Sequence, residues 1–150
     1  IAYELFPRGF GCAGTEAAVQ KLKELANKAG ALQAKLQRGT GGAVHTSLLK
    51  PAQKALSKAL DELLPKMKPP TKTIYMNVNA LPVRPGTNPK EIVDILKQQI
   101  VSPVLWEPSV RAMIKDGVSE FYETGPMKQL KAMMKRIDSK VWAQTVNVEI

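Results

Sequence analysis

Helical and extended patterns alternate along the chain from residue 48 to residue 148. Apolar residues at helical spacing predict helices over residues 48–64, 89–100, 108–116 and 126–136. Apolar stretches between and after them predict strands over residues 73–78, 118–123 and 141–148. Alternating helices and strands favour a sheet that contains parallel strands, so the expected fold class is α/β.

The ends of two of these helices are marked by residues that favour helix termini. Asn88 can cap the helix at 89–100, and Pro89 suits its first turn. Gly117 follows the helix at 108–116, and glycine is frequent just beyond a helix end. Residues 79–88 contain two prolines and one glycine and are predicted to form a loop.

The first forty residues follow a different order. Residues 15–29 predict a helix that Thr15 caps and that Gly30 ends. Short extended patterns at 2–6, 10–13 and 31–36 flank it, which is consistent with part of a small α+β unit. The glycine-rich segment at 39–42 then interrupts the pattern. We therefore expect a small unit over residues 1–41 and the larger α/β unit over residues 42–150.

Composition excludes several classes of protein. His45 is the only histidine and Cys12 the only cysteine, so a multi-histidine metal site is excluded and a thiolate metal cluster is not expected. No apolar run approaches the roughly 20 residues that a membrane-spanning helix needs. The net charge of +9 favours an acidic partner. Because only 5% of the residues are aromatic, single-stranded nucleic acid is a poor candidate for that partner.

His45 is the one candidate for proton-transfer chemistry. It lies in GAVHTS (residues 42–47), between a glycine-rich segment and a helix start. A lone histidine is more often structural than catalytic, but loops of α/β folds are where catalytic groups concentrate. Histidine can also act as a general base near neutral pH. Since the chain contains no Gly-x-Ser-x-Gly sequence, its residues alone offer a possible base and no nucleophile.

Gln99 is a polar residue on an apolar helix face. It follows Ile92, Ile95 and Leu96 at helical spacing. A buried amide without a hydrogen bond costs about 1–3 kcal/mol, so Gln99 requires partners. From the pattern alone, a satisfied core amide is favoured over a functional residue.

A basic face is predicted on the helix at 126–136. Lys128, Lys131 and Lys135 share one side, and Arg136 lies beside them. The opposite side carries Leu130, Met133 and Ile137. The face is either an ordinary solvated surface or a docking surface for an acidic partner.

The residues around His45 resemble the signature of a known enzyme family. GAVHTSLLKPA (residues 42–52) is similar to the sequence around the catalytic histidine of the malonyl-CoA:acyl carrier protein transacylases. Similar segments follow in the family's order, namely Asn77-Val78, Gln99 with SPVLW (102–106), FYETGP (121–126) and Lys135-Arg136. Residues 13–14 and the helix after them resemble the second half of the family's small ferredoxin-like subdomain.

The resemblance implies the C-terminal part of a hydrolase-like, three-layer acyltransferase domain, with residues 1–41 in the ferredoxin-like subdomain. It implies transfer of a malonyl group from malonyl-CoA, through a seryl ester, to the phosphopantetheine thiol of acyl carrier protein in fatty acid biosynthesis, with no metal or cofactor. The implied roles are general base for His45, support of that base for Gln99 and Asn77, and docking of the carrier protein for Lys128, Lys131, Lys135 and Arg136.

The chain departs from the family pattern in three ways. The family's serine loop, malonate-binding arginine and oxyanion glutamine precede the matching region and are absent here, so we expect that Ile1 lies inside a longer protein. Without that N-terminal half, the chain alone is expected to be inactive. Tyr3 and Glu4 stand where the family often has an asparagine, and Met127 stands where it has a glycine.

Two alternatives stay open. The chain could be an acyltransferase domain of a polyketide or fatty-acid synthase, or a non-catalytic basic binding module. Neither nucleic acid nor a membrane is expected as a partner of the transacylase. Such an enzyme would work in the mitochondrion or plastid of a eukaryote, or in the cytoplasm of a bacterium.

Overall fold

The computed structural model describes residues 1–37 and 42–149. Its helices are α1 (Glu16–Lys28), α2 (Lys50–Leu63), α3 (Pro89–Gln99), α4 (Trp106–Lys115), α5 (Gln129–Ile137) and α6 (Ser139–Ala143). Its strands are β1 (Tyr3–Phe6), β2 (Gly9–Gly11), β3 (Ile74–Tyr75), β4 (Pro82–Val83), β5 (Val104–Leu105), β6 (Phe121–Thr124) and β7 (Thr145–Val148). Within these ranges every helix is too short or too polar to cross a membrane.

The strands of the described ranges form three small sheets. β1 is the central strand of the first sheet and runs antiparallel to β2 and parallel to β5. β3 and β4 form an antiparallel pair, and β6 and β7 pair in parallel. The parallel pairs and the helices between them confirm the α/β class predicted from the alternation.

The predicted boundary between two units falls in a glycine segment that lies mostly outside the described residues, at positions 38–41. β1, from the first predicted unit, pairs with β5, from the second. The division at residues 41 and 42 and the ferredoxin-like subdomain stay predictions.

The core lies where α4 and α5 pack against β1. Val110, Met134 and Ile137 are buried there. Partly buried aromatic side chains surround them, namely Phe6, Trp106, Phe121 and Trp142. The first strand of the chain is therefore fixed by the C-terminal helices through burial of apolar surface.

The predicted helix termini are confirmed at four positions. The Thr15 hydroxyl accepts a hydrogen bond from the main-chain N of Ala18 at 3.4 Å, and the Asn88 side chain accepts one from Lys90 N at 3.0 Å. Gly30 and Gly117 follow α1 and α4 with φ of 81° and 92°. Glycine adopts this left-handed conformation without the steric cost that a Cβ would bring.

Three predictions of extended or loop structure are wrong. Residues 31–36 form no strand, and Leu32 in that segment is fully exposed. The predicted strand at 141–148 begins as α6, because Asp138 Oδ1 caps a helix by accepting from Lys140 N at 2.9 Å and Val141 N at 3.0 Å. The predicted loop at 79–88 contains β4, which pairs with β3.

The β3–β4 pair is tied to the end of α4 by polar contacts. The Tyr75 hydroxyl donates to Asp116 Oδ2 at 2.6 Å, and Arg84 lies 3.4 Å from the same oxygen. The hydrogen bond to Asp116 raises the pKa of Tyr75, and desolvation and the negative charge of Asp116 raise it further. These contacts hold the segment that leads into Asn77.

The start of α5 is capped from a distance. The two carboxylate oxygens of Glu123 accept from the main-chain N of Leu130 at 2.8 Å and of Lys131 at 2.9 Å. The Asn147 side chain donates to the Met127 carbonyl at 2.9 Å. Met127 has a φ of 72°, a conformation that favours glycine, so this hydrogen bond helps to hold a strained residue in place.

Replacing Glu123 by alanine is expected to lower the free energy of unfolding by about 1–2 kcal/mol, since two helix N–H groups lose their acceptor. Urea unfolding measures the change. Glu120→Ala is the matched control, because the Glu120 carboxylate meets only the Tyr122 hydroxyl among the described residues, at 3.3 Å. Equal unfolding midpoints for the two variants would contradict the capping role.

Candidate active site

His45 lies in a tight turn that its own backbone helps to form. Its φ is 61°, a conformation that costs a non-glycine residue about 1–3 kcal/mol and persists only where the surroundings enforce it. Two hydrogen bonds enforce it here. The Thr46 hydroxyl donates to the Ala43 carbonyl at 2.6 Å, and His45 N donates to the Ile100 carbonyl at 3.0 Å.

The imidazole ring is oriented by the end of α3. His45 Nδ1 lies 2.8 Å from the main-chain oxygen of Gln99. A carbonyl oxygen can only accept, so Nδ1 carries the hydrogen and Nε2 of the neutral ring has a free lone pair. The carbonyl also stabilises positive charge that develops when Nε2 takes a proton. The arrangement therefore suits a general base that acts through Nε2.

The structure brings together His45 and Gln99, which are 54 positions apart. The contact uses the Gln99 main chain, while its side chain is half-buried. Asn77 contributes its main-chain oxygen to Leu105 N at 2.8 Å, which anchors β5 beside the β3–β4 segment.

Sequence reasoning missed Gln53, which fixes α3 to α2. Its side-chain amide donates to the Lys97 carbonyl at 2.8 Å, in the last turn of α3. Lys97 also pairs with Asp61 of α2 at 2.6 Å. Gln53 is half-buried and lies four positions after Leu49, so its helical spacing is the feature that could have revealed it.

Tyr3 packs against the imidazole of His45. The ring centroids are 5.2 Å apart and the ring planes are inclined at 74°. Tyr3 belongs to β1, where it pairs with Gly11 of β2 and Val104 of β5. The ring of His45 is thus in contact with both the end of α3 and the first strand of the chain.

A shallow pocket of about 210 Å³ opens beside the imidazole. It lies between α2 and α3, and its wall is apolar apart from His45 and Gln99. The apolar residues are Leu56, Leu60, Leu96 and Ile100. Such a wall limits the access of water to one side of the ring.

The predicted basic residues are only partly arranged as expected. Lys128 precedes α5 instead of lying within it, and Lys131 is half-buried. Lys135 Nζ lies 4.7 Å from the centre of the Trp142 ring, and the Arg136 guanidinium lies 4.4 Å from the centre of the Phe6 ring. On the opposite side the structure buries Met134 rather than Met133. Two of the four cations therefore pack on aromatic rings at the protein surface.

Neither of two serines near the site in sequence or in the fold is placed as a nucleophile, and no metal-binding cluster lies in the described residues. Ser47, the serine nearest to His45 in the sequence, is exposed, and Ser109 is buried with its hydroxyl donating to the Leu105 carbonyl at 2.7 Å. Across residues 1–37 and 42–149, no three His, Cys, Asp or Glu side chains lie close enough together to hold a metal ion.

Known proteins match this chain in sequence. No family model matches it. The malonyl CoA-acyl carrier protein transacylase of Haemophilus influenzae is 36% identical over 135 residues, which is 90% of this chain and 41% of that protein. The mitochondrial malonyl-CoA-acyl carrier protein transacylase of Homo sapiens is 34% identical over 113 residues, which is 73% of this chain and 28% of that protein. The chain therefore spans less than half the length of these relatives.

A solved structure matches the fold. It is a malonyl-transacylase in complex with its type II polyketide synthase acyl carrier protein. The match has a TM-score of 0.78 at 25% identity and covers 91% of this chain and 41% of the other. The acyltransferase fold predicted from the sequence is thus supported by structure as well as by sequence.

Proposed function

In sequence and in fold this chain belongs with the malonyl-CoA:acyl carrier protein transacylases, and on that premise we propose that it supplies the general base of such an enzyme. The reaction is transfer of a malonyl group from malonyl-CoA to the phosphopantetheine thiol of an acyl carrier protein. The observation that carries the proposal is the 2.8 Å hydrogen bond between His45 Nδ1 and the Gln99 carbonyl, which leaves Nε2 free to accept a proton.

The first half-reaction loads the enzyme. A serine Oγ gives its proton to His45 Nε2 and attacks the thioester carbonyl of malonyl-CoA. The tetrahedral intermediate collapses, the C–S bond breaks, and the CoA thiolate takes the proton from Nε2. The malonyl group is then held as an ester of the serine.

The second half-reaction moves the malonyl group from the serine to the carrier protein. The phosphopantetheine thiol gives its proton to His45 Nε2, and the thiolate attacks the ester carbonyl. The C–O bond to the serine breaks, and the serine oxygen recovers the proton from Nε2. The same nitrogen therefore acts as base and acid in both halves, while the Gln99 carbonyl holds the ring in place in the role that a carboxylate has in many serine enzymes.

The serine of this mechanism is not among the 150 residues in the expected Gly-x-Ser-x-Gly context. We propose that it is supplied by a part of the enzyme outside this sequence. The chain covers 41% of the Haemophilus influenzae transacylase, which supports this division. Gln99 acts through its main chain in this proposal, and Asn77 acts indirectly, by anchoring β5.

The pathway and the cellular location of the reaction are also proposed. Fatty acid biosynthesis is the favoured pathway, with the enzyme in a mitochondrion, a plastid or the bacterial cytoplasm. A polyketide role is the alternative that one observation supports, since the solved relative is bound to a polyketide carrier protein. Comparison of fatty-acid and polyketide carrier proteins as acceptors, together with the mass of the intact parent protein, separates a free enzyme from a synthase domain.

The basic residues before and on α5 are proposed to dock the carrier protein. Acyl carrier proteins are acidic, and this chain has a net charge of +9. Complementary charge mainly raises the rate of encounter. Lys131→Glu with Lys135→Glu, in a complete enzyme that contains this segment, is expected to lower the rate with the carrier protein about tenfold at low salt and to weaken its salt dependence.

The matched control for this prediction is Lys54→Glu with Lys58→Glu, which makes the same change of charge on exposed positions of α2. Loading from malonyl-CoA, measured separately, should change less than transfer to the carrier protein. Because Lys135 packs on Trp142, urea unfolding of each variant checks that the fold is retained. Equal rates for the two double variants would show that net charge, and not this surface, governs docking.

A further inference from the structure

We propose that Tyr3 is a positioning residue for His45, a role that rests on the proposed function of His45 as the base. The centroids of the Tyr3 and His45 rings lie 5.2 Å apart at an inclination of 74°. Edge-to-face packing at this distance is a favoured arrangement of aromatic rings. The resemblance noted above implies an asparagine near this position in many members of the family, where this sequence has Tyr3 and Glu4.

Tyr3 is itself held in place by its strand neighbours and by the packing around its ring. β1 lies between β2 and β5, and Tyr3 pairs with Gly11 on one side and Val104 on the other. Ala2, the preceding residue, is completely buried. A Cβ at Gly11 would lie 2.7 Å from Cδ2 of the Tyr3 ring, so only glycine leaves room for the ring in its present position.

The orientation of the His45 imidazole needs a second contact, because one hydrogen bond does not fix the orientation of a ring. The bond from Nδ1 to the Gln99 carbonyl sets the position of one atom, and the imidazole can still tilt about it. Tilting would move Nε2, the atom that exchanges protons with the serine and the thiols. Proton transfer depends on such positions to within a fraction of an ångström, and misplacement by about 1 Å can cost about a hundredfold in rate.

Kinetics of a complete enzyme that contains this segment test the proposal. Tyr3→Leu removes the ring and is expected to lower kcat about tenfold, with the KM for malonyl-CoA unchanged within about twofold. Tyr3→Phe keeps the ring and loses only the hydroxyl, which has no partner among the described residues, and should restore the normal rate. Phe10→Leu, which removes an aromatic ring from the adjacent strand β2, is the matched control and should leave kcat unchanged.

Magnetic resonance of the 150-residue chain gives a readout that does not need activity. His45 is the only histidine, so the imidazole signals require no assignment. Tyr3→Leu should shift the ring-proton signals of His45, while Tyr3→Phe and Phe10→Leu should leave them in place. Gly11→Ala, which crowds the Tyr3 ring without removing it, should also shift them and serves if Tyr3→Leu does not fold.

Unchanged His45 signals in both Tyr3→Leu and Gly11→Ala would overturn the proposal, as would a Tyr3→Phe enzyme as slow as Tyr3→Leu. A different result would contradict the proposed function of His45. If His45→Ala leaves malonyl transfer intact, the base is elsewhere, whatever the imidazole signals show.

Discussion

Replacing His45 by alanine is expected to lower malonyl transfer at least about a hundredfold in a complete enzyme that contains this segment, which is the usual scale for loss of a general base. The reason is that Nε2 carries every proton exchanged between the serine and the thiols in the proposed mechanism. Both half-reactions should slow, so loading from malonyl-CoA and discharge to the carrier protein are measured separately under single-turnover conditions.

Ser47→Ala is the matched control for this result. Ser47 lies two positions after His45, is exposed, and follows the same turn. Its removal should leave both half-reactions within about twofold of normal if the nucleophile lies outside this segment. Near-normal turnover in His45→Ala would instead assign His45 to a structural role, in which its contacts with Gln99 and Ile100 join α3 to the turn.

The residues themselves predict the start of α3 and a possible base at His45, whereas support of His45 by Gln99 is implied only by the resemblance to the transacylase family. Asn88 and Pro89 mark a helix start by local rules that need no tertiary information. The bond between His45 Nδ1 and the Gln99 carbonyl joins residues 54 positions apart, and any main-chain oxygen in the last turn of α3 could have been the acceptor. The acceptor is set by tertiary contacts, among them the bond from His45 N to the Ile100 carbonyl and the bond from Gln53 to the Lys97 carbonyl.

The side-chain pattern of the sequence does not predict some of the shortest helices and strands. β4 and β5 each contain two residues, which is too few for an alternating pattern to be recognised. The five residues of α6 have strand-like neighbours, and the helix depends on the cap that Asp138 provides. In α6 the hydrogen bonds from Lys140 N and Val141 N to Asp138 outweigh the strand preference of the side chains.

The spacing of apolar residues predicts which residues share a helix face, but it predicts less well which of them are buried. In α2, Ala52 and Gln53 both lie at helical spacing from Leu49, and the structure places Gln53 on the half-buried side while Ala52 is exposed. In α1 the periodicity is clear, yet Leu22 and Leu25 are 43% and 52% exposed. Periodicity identifies which residues share a face, but it does not identify what covers that face.

The second large effect is expected when the 150-residue chain is incubated alone with malonyl-CoA. No malonyl adduct should be found by intact-protein mass spectrometry, because His45 can accept a proton only from a nucleophile that is positioned beside it. A complete bacterial transacylase, treated in parallel, should carry one malonyl group per chain.

A second experiment supplies the missing serine. The chain is mixed with a separately produced segment of a relative that carries a Gly-x-Ser-x-Gly sequence. If His45 and that serine form one site, the adduct should appear on the serine segment in the mixture and disappear when the chain carries His45→Ala. A stoichiometric adduct on the chain alone, mapped by peptide sequencing to Ser47, would contradict the prediction. It would mean that the exposed serine two residues beyond the base is itself the nucleophile, and that these 150 residues contain both halves of the catalytic pair.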